Sequence, residues 1–235
     1  MGLSVAILAG GLATRMRPAT ERVPKSLLEV AGKPFAVQQV ELLRRNGLRD
    51  VVFCVGYLGE LIEEVLGDGS AFGMRIGYSH DGPDLLGTGG ALQRALPLLG
   101  EAFFVMYGDS YLECDYAAVQ WEFLRSGRLG LMTVFENRGA WDSSNVELRD
   151  SRIVCYDKVN RTPEMRYIDW GLGMLRAQAF SGYPAGQPFD LSALYQDLLA
   201  RHELAAFEVK QRFFEIGSPE GLAETSEYLL KKASK

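Results

Sequence analysis

Hydrophobic residues in this chain fall into short runs with two different periods. Leu3–Leu8 is apolar except for Ser4, and Val51–Val55 and Ala102–Tyr107 are apolar throughout. Runs this short, bounded by glycine or polar residues, predict strands buried on both faces. Between them the period lengthens. Phe35–Asn46 places Phe35, Val40 and Leu43 on one helical face and Gln39, Glu41 and Arg45 away from it, with Gly47 as the C-terminal stop. Leu58–Leu66 and Gly89–Leu96 read as further helices, and Met74–Tyr78 as a short strand. Strands alternating with helices predict a parallel sheet covered on both faces.

The second half has a different rhythm. Leu129–Phe135, Asn145–Leu148 and Ile153–Tyr156 read as strands with little helix between them. Helices return at Leu191–Arg201 and Pro219–Lys231, with a strand at Ala206–Val209. No linker, repeat or low-complexity run divides the chain. The expectation is an α/β fold, a single Rossmann-like three-layer α/β/α domain over residues 1–235 with a mostly parallel mixed central sheet.

Composition narrows the function classes. The chain has 235 residues, and 47% hydrophobic with 23% charged residues exclude a disordered protein. A net charge of −5 argues against a nucleic-acid binder. No apolar run approaches the roughly 20 residues of a membrane span. The apolar N-terminus lacks a basic segment and is too short for a signal peptide. The three cysteines, Cys54, Cys114 and Cys155, form no metal-binding or redox spacing and read as reduced thiols. A soluble, cytoplasmic protein is expected. The charge is unevenly spread, however. Residues 14–33 hold five cations and two anions, a local +3 that leaves −8 on the rest.

That positive island follows the first strand directly. Adjacent Gly10 and Gly11 let the backbone turn sharply, and free amides in such a turn attract anions. Thr14 adds a hydroxyl, Arg15 and Arg17 add planar donors suited to phosphate, and Lys25 adds a point charge after Pro24. The spacing is neither G-x-G-x-x-G nor a Walker loop: no third glycine follows, and Gly32-Lys33 runs into Pro34. A second glycine cluster, Gly87-Thr88-Gly89-Gly90, opens a predicted helix, where an anionic or flat ligand can approach the backbone. An ordinary helix start capped by Thr88 is the other reading. Tyr57, at the end of the second strand, is placed to line a base pocket or simply to pack. Asp109, beside Gly108 at the end of the third apolar strand, is placed to hold a metal between phosphates, since Mg²⁺ takes one or two carboxylates plus phosphate oxygens. Nearby Glu113 and Asp115 read as solvated or capping residues.

The run LAGGLATRMRPATERVPKSLLEVAGKPF, Leu8–Phe35, resembles the N-terminal signature of sugar-1-phosphate nucleotidyltransferases. The resemblance implies the nucleotide-diphospho-sugar transferase type of fold, with a nucleotide-binding half over about 1–115 and a sugar-phosphate-binding half over about 116–235. It implies a triphosphate loop formed by Leu8, Ala9, Gly10, Gly11 and Thr14, with Arg15 and Lys25 on phosphates. Gly87, Thr88 and Gly89 would contact base and ribose. Asp109 would be catalytic and a ligand of Mg²⁺, with Mn²⁺ as an alternative. A late acid in the context F-E-I-G-S-P-E, Glu215, would be the second ligand, although the family has aspartate there. Ala13 stands where the family commonly has glycine.

In the acceptor half, Lys158 resembles the family's sugar-phosphate lysine, with Asp157 and Val159 replacing its usual Glu and Pro neighbours. Asn145 is a candidate hydroxyl reader. Asp169-Trp170-Gly171 stands in place of Asn-Ala-Gly. Asp169 would bind sugar hydroxyls, Gly171 would allow close approach, and Trp141 or Trp170 could face the sugar. The implied reaction joins NMP from an NTP to a sugar 1-phosphate and releases pyrophosphate. GTP with a heptose or hexose 1-phosphate is the first expectation, and UTP with an N-acetylmuramate or hexose 1-phosphate the alternative. A catalytically silent nucleotide-sugar-binding homologue and a nicotinamide oxidoreductase are competing classes, the latter disfavoured by the missing fingerprint. The partners expected are these two small anions, with no nucleic acid or membrane and with a homodimer left open.

Overall fold

The computed structural model describes residues 2–234. Its frame is a nine-stranded mixed sheet. β1 (Ser4–Ala9) is central, followed after two short turns by the two-residue strands β2 (Glu29–Val30) and β3 (Lys33–Pro34), which pair with each other apart from the main sheet. Helix α1 (Phe35–Arg45), strand β4 (Asp50–Val55), helix α2 (Gly59–Leu66), strand β5 (Arg75–His80), helix α3 (Gly87–Leu99) and strand β6 (Ala102–Tyr107) then alternate. β4 and β6 flank β1 in parallel, and β5 extends the sheet beyond β4.

After the two-residue strand β7 (Ser110–Tyr111) come helix α4 (Tyr116–Ser126), strand β8 (Gly130–Glu136), the hairpin β9 (Val146–Arg149) and β10 (Arg152–Tyr156), and the long strand β11 (Tyr167–Arg176). β11 runs antiparallel between β6 and β8. Helix α5 (Leu191–Ala200), strand β12 (Leu204–Val209, parallel to β8), strand β13 (Phe214–Glu215) and helix α6 (Pro219–Ala233) complete the chain. The sheet is therefore parallel in the first half and antiparallel where β11 is inserted.

Strand alternation builds two cores. Val5, Ile7, Val51, Phe53, Phe104 and Met106 face one side, beneath α1, α2 and α4. Ala6, Val52, Cys54, Phe103 and Val105 face the other, beneath α3 and α5. Burial on both faces explains why these strands read as continuous apolar runs. Helix α1 is buried on two sides rather than one: Val40 and Leu43 meet the sheet, while Phe35 and Leu42 meet Ile216 and Leu229 near α6. Its end is a Schellman turn, with left-handed Gly47 and the Leu48 N–H bonded to the Leu43 carbonyl. Burial raises the Cys54 and Cys114 thiols to about 12. Among the described residues no helix is long and apolar enough to cross a membrane.

The sequence pattern missed α4, although Tyr116, Val119 and Phe123 share its buried face. It also missed β11, whose apolar run is interrupted by Asp169 and by glycines at 171 and 173. Asp115 is the N-cap of α4, accepting the Ala118 N–H at 3.0 Å. Replacing it with alanine is expected to cost about 1 kcal/mol and lower the melting temperature by about 2–4 °C, measured by calorimetry.

Candidate active site

The loop after β1 runs past the ends of β4 and β6. A side chain at Gly10 would press on the Gly56 amide at 3.1 Å, so the loop hugs the neighbouring strand. Ala13 adopts φ 48°, ψ 40°, the left-handed region a glycine fills without strain. The Thr20 hydroxyl donates to its carbonyl at 2.8 Å and holds it there. Met16 is buried and anchors the turn, while Arg15, Arg17 and Arg22 form no ion pair among the described residues. Lys33 turns away to Glu41 at 2.6 Å. The positive island is thus split, with only part of it directed at the site.

Lys25 is the cation that reaches inward. Its Nζ lies 2.6 Å from Asp109 Oδ2, with both side chains about three-quarters buried. Asp109 sits in the turn between β6 and β7, and that turn is built tightly. The Gly108 N–H donates to the Leu8 carbonyl, and any side chain at Gly108 would strike that oxygen at 2.7 Å. Gln39, fully buried in α1, donates through Nε2 to the carbonyls of Tyr107 and Ser110 at 3.0 and 2.9 Å. Gln39 escaped the sequence reading, where it was placed on the polar face of its helix. Its only sequence signal is an uncharged polar residue between apolar positions of α1.

Pairing of β7 with β13 sets Glu215 opposite Ser110, and the Ile216 N–H donates to the Asp109 carbonyl at 2.9 Å. Two carboxylates from distant parts of the chain thus become neighbours. Burial pushes the Glu215 carboxyl up, and the charge of Asp109 adds to this, while the Gly217 N–H and Lys25 oppose it. The Glu215 carboxylate accepts the Gly217 N–H and, at 3.4 Å, the Ser218 hydroxyl at the start of α6. Among the described residues no group of three or more metal-ligating side chains occurs. A carboxylate pair of this kind suits Mg²⁺ where phosphate and water oxygens complete its shell.

Two cavities meet here. The first, about 250 Å³, is lined by Leu8–Gly11, Lys25, Gly87, Thr88 and Asp109. Three expected nucleotide residues differ in place. Thr14 is not in its lining. Tyr57 is exposed and donates to the Glu21 carbonyl, which fixes the loop from outside. Gly89 is small for a packing reason: a side chain there would enter the Phe189 ring. Gly87, at φ 69°, likewise gives way to the Phe189 carbonyl, though it also lines the cavity. Thr88 does not cap its own helix. Its hydroxyl accepts the Leu191 N–H at 2.7 Å and donates to Asp190 at 3.0 Å, tying α3 to the start of α5.

The second cavity, about 550 Å³, is lined by Arg15, Asn145, Lys158, Asp169, Gly171 and Glu215 among others. Tyr107 and Asp109 line both cavities. Arg15 therefore opens on the second cavity rather than the first. The Asn145 side-chain oxygen accepts the Asp169 N–H at 2.9 Å, so that oxygen is committed to positioning β11. Burial raises the Asp169 carboxyl, opposed by Lys158, the Gly171 N–H and the Tyr156 hydroxyl. Lys158 Nζ contacts the Tyr107 hydroxyl at 3.2 Å. Gly171, at φ 97°, occupies a register shift of β11 against β8. Trp170 is fully buried with its indole N–H unpartnered, while half-exposed Trp141 stacks on Arg212 at 3.5 Å.

Comparison with known proteins adds an independent line. The nucleotidyl transferase family model matches residues 4–139. A Campylobacter jejuni D-glycero-alpha-D-manno-heptose 1-phosphate guanylyltransferase is 28% identical over 91% of this chain and 94% of its own. A Caulobacter vibrioides N-acetylmuramate alpha-1-phosphate uridylyltransferase is 31% identical over 91% of each. A Neisseria meningitidis protein of the latter name is 44% identical, but the match spans 48% of this chain and about half of the relative's length. The structure of HddC from Yersinia pseudotuberculosis with GMP-PN superposes with TM-score 0.79 at 25% identity, covering 97% of this chain and all of the other. A Bacillus anthracis structure described as a glucose-1-phosphate thymidylyltransferase shares the fold, with TM-score 0.85.

If Gln39 holds the Asp109 turn, Gln39→Ala leaves a buried cavity and two carbonyls without their donor. It is expected to destabilise the fold by about 2–3 kcal/mol, read from urea unfolding midpoints.

Proposed function

The chain belongs to the nucleotidyl transferase family, and on that premise we propose that it transfers NMP from an NTP to a sugar 1-phosphate, giving a nucleoside diphosphate sugar and pyrophosphate. The observation that carries this reading is the shared wall of the two cavities. Tyr107 and Asp109 line both, so a nucleotide in the first and a sugar phosphate in the second would meet at one carboxylate.

A phosphate oxygen of the sugar 1-phosphate attacks the α-phosphorus in line. A new P–O bond forms, the α–β bridging P–O bond breaks, and pyrophosphate leaves with the electron pair. The nucleophile is already anionic, so no general base is needed. Catalysis reduces to positioning and charge neutralisation. In this reading Gly10 and Gly11 present backbone amides to the triphosphate. Lys25 holds the transferring phosphate against Asp109. Arg15 and Lys158, both on the second cavity, bind the incoming sugar phosphate. Asp169 and the free amide group of Asn145 meet sugar hydroxyls. Asp109 and Glu215 would hold Mg²⁺, with Mn²⁺ as an alternative, and the ion would supply Lewis-acid neutralisation of the phosphates.

Full-length similarity extends both to a heptose 1-phosphate guanylyltransferase and to an N-acetylmuramate uridylyltransferase. GTP with a heptose or hexose 1-phosphate remains the first reading and UTP the alternative. A catalytically silent homologue is disfavoured because Arg15, Lys25 and Asp109 are all present. Lys25→Ala and Asp109→Ala are each expected to lower turnover at least about a hundredfold, measured by pyrophosphate release, with the circular dichroism spectrum unchanged. Rates near those of the unaltered protein in either variant would contradict the reading.

A further inference from the structure

The acceptor cavity does not end at the residues assigned to the sugar phosphate. Ser143 and Arg161 line it and also line a third, open cavity of about 560 Å³. The lining of this distal cavity includes Arg138, Arg161 and Arg166 and no acidic residue. Such an accumulation is unexpected in a chain of net charge −5.

The three guanidiniums are not neutralised by their surroundings. Arg138 and Arg166 share one carboxylate, Glu136, at 2.9 and 3.4 Å. Arg161 donates Nε–H to the Lys158 carbonyl at 3.1 Å and pairs with no carboxylate among the described residues. Asp157, two residues from Val159, is turned to its own loop, accepting the Val159 and Asn160 N–H groups. Setting Glu136 against Arg138, Arg161 and Arg166 leaves two positive charges on the distal wall, while Asp142, beside Ser143, lines the second cavity. Guanidinium forks favour carboxylate and phosphate oxygens, with which they form paired hydrogen bonds. Ser143 and Ser144 add hydroxyls to the same wall.

We propose that the distal cavity is a second anion subsite, and that the preferred acceptor sugar carries a carboxylate or a second phosphate remote from its anomeric phosphate. Arg161 marks the junction, and Arg138 and Arg166 complete the binding wall. This rests on the transfer reading above, because it presumes that the sugar phosphate occupies the second cavity. It also gives the three arginines a role that charge solvation alone would not require: a neutral sugar leaves them facing water, whereas an anionic substituent is drawn to them.

The test compares pairs of acceptors that differ in one anionic group. N-acetylmuramate 1-phosphate differs from N-acetylglucosamine 1-phosphate by a lactyl ether carboxylate, and glucose 1,6-bisphosphate differs from glucose 1-phosphate by a phosphate. Pyrophosphate release is measured for each with all four NTPs. At least one charged member is expected to have a kcat/KM about tenfold above its neutral partner. Which pair shows the preference identifies carboxylate or phosphate as the group. In the double variant R138Q/R166Q, which leaves Arg161 and the nucleotide site intact, the preference is expected to fall to near one while the neutral sugars react as before. Equal use of charged and neutral members, or a preference that survives the double variant, would overturn the subsite and leave the transfer reading standing. Absence of pyrophosphate with every pair, and with heptose and mannose 1-phosphates as well, would overturn both.

Discussion

The site depends on one ion pair, Lys25 to Asp109, set at the wall between two cavities. On the proposed transfer reading two polyanions meet at this wall, where Lys25 faces them with a cation and Asp109 with a carboxylate that would hold Mg²⁺. Here the cation comes from a segment that follows a glycine loop, and the anion from the end of a central strand. Each restrains the other. Their mutual distance of 2.6 Å keeps a lysine and a carboxylate ordered in a place that would otherwise disfavour either alone.

Much of the surrounding architecture can be understood as support for that pair. Gly108 lets the end of β6 press against β1, and Gln39 reaches from α1 to close the turn that carries Asp109. The short β7–β13 pairing delivers Glu215 from a point more than a hundred residues later in the chain. On the acceptor side, β11 passes antiparallel beside β6, so Asp169 and Gly171 arrive next to Tyr107. Long-range pairing, rather than any local segment, assembles the site. The functional residues sit at strand ends while the strand interiors supply two continuous cores, which separates the demands of stability from those of chemistry.

The central strands and their helices were legible in the sequence because burial on both faces leaves an apolar run that nothing else in the chain imitates. Asp109 stands beside glycine at the end of such a run and Lys25 follows a proline in the loop after β1, and the structure pairs the two. Other features could not be read. Gln39 looks like a surface residue until the turn it clasps is in view. Gly87 and Gly89 suggest a ligand, yet Phe189, a hundred residues away, fills the space beside them. Tyr57, readable as base-pocket lining or as packing, donates its hydroxyl to the Glu21 carbonyl on the preceding loop. Helix α4 was overlooked because its exposed Trp121 and Leu124 blur the amphipathic period. For Gln39, Gly87, Gly89 and Tyr57 the deciding contact lies far off in sequence, where local pattern carries no information.

On the proposed reading one phosphorus atom passes between ligands held in the two cavities. Supplying GTP or UTP labelled at the α-phosphate, and separately at the γ-phosphate, with a panel of sugar 1-phosphates follows that atom directly. The α-label is expected in a nucleoside diphosphate sugar and the γ-label in pyrophosphate, in equal amounts. Label that remains in the triphosphate with every acceptor, or γ-label released as orthophosphate, would contradict it.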